Sequence, residues 1–218
     1  MGIWSRGVMR SQRLSGTSPL ARHGRRVTLR TLTAGDYEQW IEVRDRCREW
    51  LIPWEPRPHG APRAAEDRNS FASRCSLRER ERQLGTGFGF GIFVGARLVG
   101  ELTVSSVQRG PFQSAFVGYW IDQAEAGQSY VPEAVVVALA FAFEELRLHR
   151  VEISIIPRNR RSLRVVEKLG IRSEGVALQF LQIDGVWEDH ARFAITDEEW
   201  VIRRDELVGR WIEGFVAD

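Results

Sequence analysis

The stretch from residue 115 to residue 170 decides the fold. It opens with AFVGYWI at 115–121, DQAEAGQSY at 122–130 and VPEAVVVALAFAFEEL at 131–146. These segments predict a strand, a glycine-containing loop and an apolar helix with Pro132 in its first turn, where proline is tolerated. The first N–H groups of such a helix have no intrahelical acceptor, so an anion such as a diphosphate can bind there. The alternative is that Gly127 only makes the turn.

The segments on either side of this unit complete an α/β domain. Strands are predicted at 27–32, 88–94, 97–106, 115–121, 150–156, 174–182 and 186–196. Helices are predicted at 33–51, 64–83, 131–146, 159–169 and 197–215. Gly95-Ala96 and Asp184-Gly185 mark hairpin turns. A three-strand meander followed by a crossover helix predicts one domain over 25–218, with a mixed, mostly antiparallel, twisted sheet and helices on both faces.

Composition excludes several classes of protein. The chain has 218 residues, 43% of them hydrophobic and 28% charged, with a net charge of +2 and two cysteines. It is therefore not a disulfide scaffold, and its near-neutral charge disfavours a specific DNA-binding role. No apolar run is long enough for a membrane span, and the cysteines and histidines lack the spacing of metal ligands. We expect a cytoplasmic protein without a metal.

Residues 1–24 predict a basic, flexible tail. The first acidic residue of the chain is Asp36, and this segment is rich in Arg, Ser and Gly. An organelle transit peptide and an arm that binds an anionic partner share that composition. These alternatives stay open at this point.

The glycines at 85–89 do not predict a nucleotide-binding loop. The sequence GTGFG has no Lys-Ser or Lys-Thr after it, and no helix pattern follows. A phosphate-binding P-loop needs both. The segment instead predicts a strand that begins near Phe88.

Several ordered motifs resemble the GCN5-related N-acetyltransferase (GNAT) superfamily, in particular the RimJ/RimL type of ribosomal-protein-alanine N-acetyltransferase. They span about residues 26–200 and include VTLR at 27–30, PWEP at 53–56, GYWI at 118–121, HRVE at 149–152, Asn159 with Ser162, EKLGIR at 167–172 and DGVWEDH at 184–190. The resemblance implies a GNAT-like acyl-CoA N-acyltransferase fold.

The resemblance also implies acetyl-CoA (coenzyme A) as the acetyl donor. The residues that match the family's cofactor site are Trp120, Ile121, Ala126, Gly127, Gln128, Ser129, Tyr130, Val131, Asn159 and Ser162. The N–H groups near Trp120 and Ile121 are expected to stabilise the oxyanion, and Ser162 to protonate the leaving thiolate. Four positions depart from the family pattern: Ala124 replaces Arg or Gln, Ser129 replaces Gly or Ala, Ile171 replaces Phe, and Val166 stands where some relatives have a proton-donating tyrosine.

The acceptor amine must lose a proton before it can attack, so a base is needed. Glu152 and Glu101, both on predicted strands, are the candidate catalytic carboxylates. For Glu152 the alternative is an ion pair with Arg150, and for Glu101 an exposed strand position. On the acceptor side we expect Trp54, Tyr119, Asp189 and His190 to contact the substrate. A histidine can relay a proton near neutral pH, and the alternative for His190 is a structural role.

These residues together predict an N-acetyltransferase that acts by direct transfer in a ternary complex. The expected acceptor is the N-terminal α-amine of a protein, with association with the ribosome and a monomeric or homodimeric state. Two alternatives stay open: transfer to a small-molecule amine, and a non-catalytic acyl-CoA-binding or ribosome-associated module.

Overall fold

The computed structural model describes residues 20–62 and 65–213. These residues form eight strands: β1 Ala21–His23, β2 Val27–Arg30, β3 Phe88–Val94, β4 Arg97–Gln108, β5 Ser114–Ile121, β6 Arg150–Ile155, β7 Arg172–Ile183 and β8 Val186–Thr196. They also form the helices α1 Tyr37–Arg46, α2 Arg48–Leu51, α3 Arg68–Leu84, α4 Tyr130–Ala140, α5 Arg160–Lys168 and α6 Asp197–Val208.

The strands make a single sheet in the order β1-β2-β3-β4-β5-β6-β8-β7. Only β5 and β6 are parallel; every other neighbouring pair is antiparallel. Parallel neighbours need a long crossover connection, and α4 supplies it. The predicted mixed, mostly antiparallel sheet is confirmed.

The larger core lies between the sheet and α4. All residues from Val131 to Leu139 are buried, as expected for a helix covered on every side. The ring of Phe141, which follows α4, meets Phe88 and Phe90 edge-on, with centroids 5.0 and 5.7 Å apart. Each such pair stabilises the fold by about 0.5–1.5 kcal/mol beyond the free energy gained by burying the ring surfaces. This core fixes α4 against the strand that precedes it.

A second core covers the opposite face of the sheet. Trp40 of α1 and Phe71 of α3 pack there against Phe93 and Leu98. Strand alternation sends Ile92 into the first core and its neighbour Phe93 into the second. The predicted helices on both faces are confirmed.

The chain departs from the predicted elements at its two ends. Ala21–His23 of the predicted tail pair with β2 as a short edge strand, and the tail's other residues up to 19 lie outside the described range. The predicted last helix is α-helical to Val208 and continues as a π turn over Gly209–Glu213.

Two further sequence inferences can be compared with the structure. Phe88 starts β3, as predicted. Gly85, whose role was not predicted, ends α3 in a left-handed conformation. Within 20–62 and 65–213, no helix has the length and apolar character needed to cross a bilayer.

Candidate active site

The candidate site is a cleft where β5 and β6 separate. The two strands pair only between 114–116 and 150–152, and beyond this they diverge. The cleft has a volume of about 790 Å³ and is flanked by the start of α4 and one face of α5. That size suits a cofactor-sized ligand.

The loop between β5 and α4 is open and presents unbonded amides. Gly127 has φ +89°, a left-handed conformation that favours glycine, and a side chain there would meet open space. Among the described residues, the N–H groups of Gly127, Ser129, Tyr130 and Val131 have no acceptor. Together with the partial positive charge at the start of α4, they form a site for an anion.

Arg26 fixes the carbonyl groups of this loop. Its guanidinium donates to the carbonyl of Gln128 at 3.0 Å and to that of Ser129 at 3.5 Å. It also donates to the buried carboxylate of Glu133 at 2.9 Å, and its guanidinium lies over the Tyr130 ring. Since the carbonyls are held on this outer side, the amides remain available to the cleft.

Asp122 anchors the start of the same loop. Its buried carboxylate accepts hydrogen bonds from Arg46, from the Cys47 thiol at 3.2 Å and from the Ala124 N–H at 3.0 Å. Burial favours the neutral acid, but the bonds from Arg46 and Ala124 outweigh it and lower the pKa of Asp122. Asp122 is therefore an anion that shapes the loop at neutral pH.

Ser162 and Tyr119 form a hydroxyl pair in the cleft. Asn159 caps α5, its side-chain oxygen accepting the Ser162 N–H at 3.1 Å, which fixes where Ser162 lies. The Ser162 Oγ donates to the Tyr119 Oη at 3.1 Å, and the Tyr119 hydroxyl donates to the Ser162 carbonyl at 3.3 Å. Burial of that hydroxyl raises the pKa of Tyr119, so it stays protonated.

The backbone of β5 determines which amide N–H faces the cleft between β5 and β6. The Asp122 N–H donates to the Val99 carbonyl of β4 at 2.7 Å. Backbone groups alternate in direction along a strand, so those of Trp120 also face β4, while those of Tyr119 and Ile121 face β6. Ile121 thus fits the predicted oxyanion role. The prediction for the Trp120 amide is wrong, and Trp120 lines the cleft with its side chain.

The end of the cleft at which the acceptor is expected, here called the acceptor end, is walled by Trp50 and Trp54. The Trp50 indole N–H donates to the Ile121 carbonyl at 3.2 Å. The loop that carries Trp54 is fixed to the β7–β8 turn through an ion pair between Arg57 and Asp184 at 2.6 Å. The wall is therefore built from two distant parts of the chain.

Glu101 lies at this end and is buried, so the alternative of an exposed strand position is wrong. Its carboxylate accepts the Trp40 indole N–H at 2.7 Å and the Arg74 guanidinium at 3.1 Å. A buried carboxylate needs such partners. Glu101 lines the cleft beside Thr103 and Trp120.

Glu152 does not line the cleft. Its carboxylate is paired with Arg150 at 3.2 Å and with Arg192 of β8. The predicted alternative, an ion pair with Arg150, is what the structure contains, because β6 and β8 place these side chains on one face. The prediction that Glu152 is a catalytic base is corrected.

Asp189 and His190 lie away from the cleft as well. Asp189 accepts the Gln179 N–H at 2.8 Å and stabilises the irregular part of the β7–β8 pair. His190 is 3% exposed and bonded through Nδ1 to the Glu188 carbonyl at 3.0 Å. Their predicted contact with the acceptor is therefore corrected to a structural role.

All the predicted cofactor residues except Gln128 line the cleft. Three cations of α5 also line the cleft and were not predicted from the sequence: Arg161, Arg164 and Lys168. Their spacing of i, i+3 and i+7 could have identified them, since it places three cations on one face of a helix.

Known N-acetyltransferases resemble this chain in sequence. The profile of the family described as "Acetyltransferase (GNAT) domain" matches residues 26–172. The chain is 31% identical to the "[Ribosomal protein uS5]-alanine N-acetyltransferase" of Escherichia coli over 158 residues, which are 70% of this chain and 78% of that protein. It is 43% identical to the Bacillus subtilis "Probable N-acetyltransferase YjcK" over 114 residues, 51% of this chain and 63% of that protein. The aligned part thus spans less than two thirds of YjcK.

A solved structure has the same fold. Mycobacterium smegmatis RimJ, crystallised in complex with CoA-disulfide, superposes with a TM-score of 0.78 and 32% sequence identity. The match covers 88% of this chain and 94% of that one.

Proposed function

The chain belongs to the GNAT acetyltransferase family, and on that premise we propose that it transfers the acetyl group of acetyl-CoA to the N-terminal α-amine of a protein. The acceptor in this proposal begins with alanine, as the name of the E. coli relative indicates for that protein. The acetyl transfer is expected to take place in the cytoplasm.

The observation that carries the proposal is the open bend at the start of α4. Four amides face an unobstructed cleft there, and a Cβ at Gly127 would contact nothing within 4 Å. Backbone amides at a helix start suit a diphosphate in charge and in direction. The residues present therefore fit coenzyme A, with its diphosphate held by Gly127 and by 129–131.

Bound acetyl-CoA supplies a thioester whose carbonyl carbon the amine attacks. The Ile121 N–H faces the gap, where it stabilises negative charge on the carbonyl oxygen. The Asn159 side-chain NH₂ remains able to bind an amide carbonyl of the cofactor. The single hydrogen of the Ser162 hydroxyl is donated to the Tyr119 Oη in the structure. With the cofactor bound, rotation of this hydroxyl would redirect the hydrogen to the sulfur, while the Asn159 cap keeps Ser162 in place.

Proton removal from the acceptor is assigned to Glu101, acting through water. Of the two predicted carboxylates, it is the one that lines the cleft. Hydrogen bonds from Arg74 and Trp40 hold the carboxylate in one position.

The charge of the acceptor end favours a peptide over a polyamine. Glu55 is paired with Arg44 at 2.5 Å, and Glu101 with Arg74 at 3.1 Å. Because each carboxylate has an arginine beside it, the acceptor end has no surplus of negative charge to attract a polycation. An N-terminal peptide needs one amine site between apolar walls, as Trp50 and Trp54 provide.

Direct transfer is proposed because no described residue that lines the cleft is a cysteine. Cys47 is buried beneath Asp122, and burial raises the pKa of its thiol. A protonated, enclosed thiol is a poor nucleophile.

The proposal is tested by CoA release with acetyl-CoA and a panel of acceptors. We expect turnover with an alanine-starting peptide, and a kcat/KM at least about tenfold lower for spermidine and for an aminoglycoside, a difference of about 1.4 kcal/mol. The same peptide with a blocked N-terminus is the control and should give none. Turnover with the small amines alone would replace the peptide acceptor with a small-molecule one.

A further inference from the structure

The β7–β8 hairpin concentrates the exposed apolar surface of the molecule. Of the eleven large apolar side chains that are exposed in the described part of the chain, six lie on this hairpin: Val176, Leu178, Phe180, Leu181, Val186 and Trp187. None of the six lines the cleft, so the proposed transfer chemistry does not use them. Single exposed apolar residues are normal, but a contiguous group of them on one element marks an interaction surface.

β7 also forms one edge of the sheet. Within the described ranges, the outer side of β7 is covered only near its end. There Pro56 forms an isolated bridge with Ile183, and the Arg57 N–H donates to the Gln182 carbonyl at 3.0 Å. The part of this edge over 175–181 is therefore accessible to another chain.

The accessible edge lacks the charges that usually prevent edge strands from pairing. Residues 175–183 read GVALQFLQI and contain no acidic or basic side chain. Edge strands that stay unpaired commonly carry charged residues or a proline. An uncharged surface has no attraction for a nucleic acid or for a strongly charged protein. The partner it fits is another uncharged, apolar surface.

A second copy of this chain supplies such a surface. An antiparallel, two-fold arrangement centred on Leu178, the middle of 175–181, places Val176 of one copy opposite Phe180 of the other. The same register places Arg172 of each copy opposite Asp184 of the other. Apolar residues thus meet apolar residues at the centre, and opposite charges meet at both margins.

We propose that two copies of this chain form a homodimer through the β7–β8 hairpin, with the two-fold axis beside Leu178. Gln179, with φ +45°, forms a bulge that interrupts a regular ladder of backbone hydrogen bonds. Side-chain packing of the hairpin therefore provides most of the affinity. The dimer is independent of the proposed transfer chemistry, because the cleft and the hairpin's exposed apolar residues are separate.

Sedimentation equilibrium of the full chain tests the proposal. The wild-type protein is expected to have twice the 24.9 kDa mass of one chain. Leu178→Glu should raise the dimer Kd at least about 100-fold, because the axis brings the two new charges together in an apolar contact. The matched control is Ile202→Glu, which adds the same charge on α6 at a side chain that is 82% exposed, against 76% for Leu178. Its dimer Kd should equal that of wild type.

A second variant and an activity assay show that a loss of dimer is not a loss of folding. Val176→Glu should weaken the dimer as well, since Val176 faces Phe180 of the other copy. All three variants should keep the wild-type kcat with a short acceptor peptide, which requires a folded cleft.

Three results would overturn the proposal. The first is a wild-type protein that remains monomeric at about 100 μM, well above the Kd of a specific dimer. The second is a dimer that both hairpin variants leave intact. The third is a dimer lost only in Ile202→Glu, which places the interface on α6. A monomeric wild type whose turnover of an intact acceptor protein, but not of the short peptide, falls in Leu178→Glu assigns the hairpin to the acceptor instead.

Discussion

Replacing Ser162 with alanine is expected to lower kcat about 100-fold, the lower end of what a positioned proton donor contributes. The Ser162 hydroxyl is the donor nearest the expected sulfur position, and the Asn159 cap fixes where Ser162 lies. Its removal leaves the departing thiolate without a hydrogen bond. The amides that hold the diphosphate are untouched, so the Kd for CoA should stay within about threefold of wild type.

The measurement is steady-state CoA release together with calorimetric titration of CoA. Ser76→Ala is the matched control, because Ser76 is an exposed serine on α3 whose hydroxyl donates to the Ala72 carbonyl of its own helix, outside the cleft lining. It should keep the wild-type kcat. A Ser162→Ala variant with wild-type kcat would remove Ser162 from the chemistry and leave Tyr119 as the nearest hydroxyl.

Gly100→Ala is expected to lower the free energy of unfolding by about 2–3 kcal/mol, as overpacking does in other cores. A Cβ at Gly100 would lie 2.3 Å from the Trp120 carbonyl oxygen and 3.1 Å from the Ile121 Cα. Both are backbone atoms of β5, so the strand itself must move. Because Ile121 carries the proposed oxyanion donor, kcat should fall together with stability.

Chemical denaturation measures the change in stability. The control is Gly118→Ala in the same pair of strands, where the nearest atom to a new Cβ is the Thr103 Oγ1 at 3.6 Å, an ordinary contact. Its free energy of unfolding should stay within about 0.5 kcal/mol of wild type, although the substitution lies in the cleft. Equal stabilities of the two variants would mean that β4 and β5 are not packed as closely as described.

The sequence is sufficient to predict the strand–loop–helix unit at 115–146 and the two hairpins. Their signals are local: an apolar strand, Gly127, a proline in the first helical turn, and Asp184-Gly185. Turn residues and helix starts act over a few positions, so a single chain reveals them. The strand β1 escaped prediction because its three residues, Ala21–His23, have no apolar alternation, and no local pattern signals their pairing with β2.

The roles of the carboxylates depend on partners that are distant in sequence. Glu152 is paired with Arg192 from a strand 40 residues away, and Glu101 with Trp40 and Arg74 from two different helices. Which of these groups meet is set by sheet register and helix packing. Pattern analysis of one strand cannot give that information.

Two features of the cleft differ in how far the sequence could reveal them: the hydroxyl pair of Tyr119 and Ser162, and the three cations of α5. Tyr119 and Ser162 are 43 residues apart, and their contact follows from the divergence of β5 and β6. By contrast, the spacing of Arg161, Arg164 and Lys168 was visible in the sequence. What the structure adds is that this face of α5 lines the cleft.

A crystal structure of this protein with CoA tests the central claim most directly. The account predicts diphosphate oxygens within about 2.7–3.2 Å of the N–H groups of Gly127, Ser129, Tyr130 and Val131. It would be contradicted by a diphosphate bound elsewhere on the surface while those four amides face only solvent.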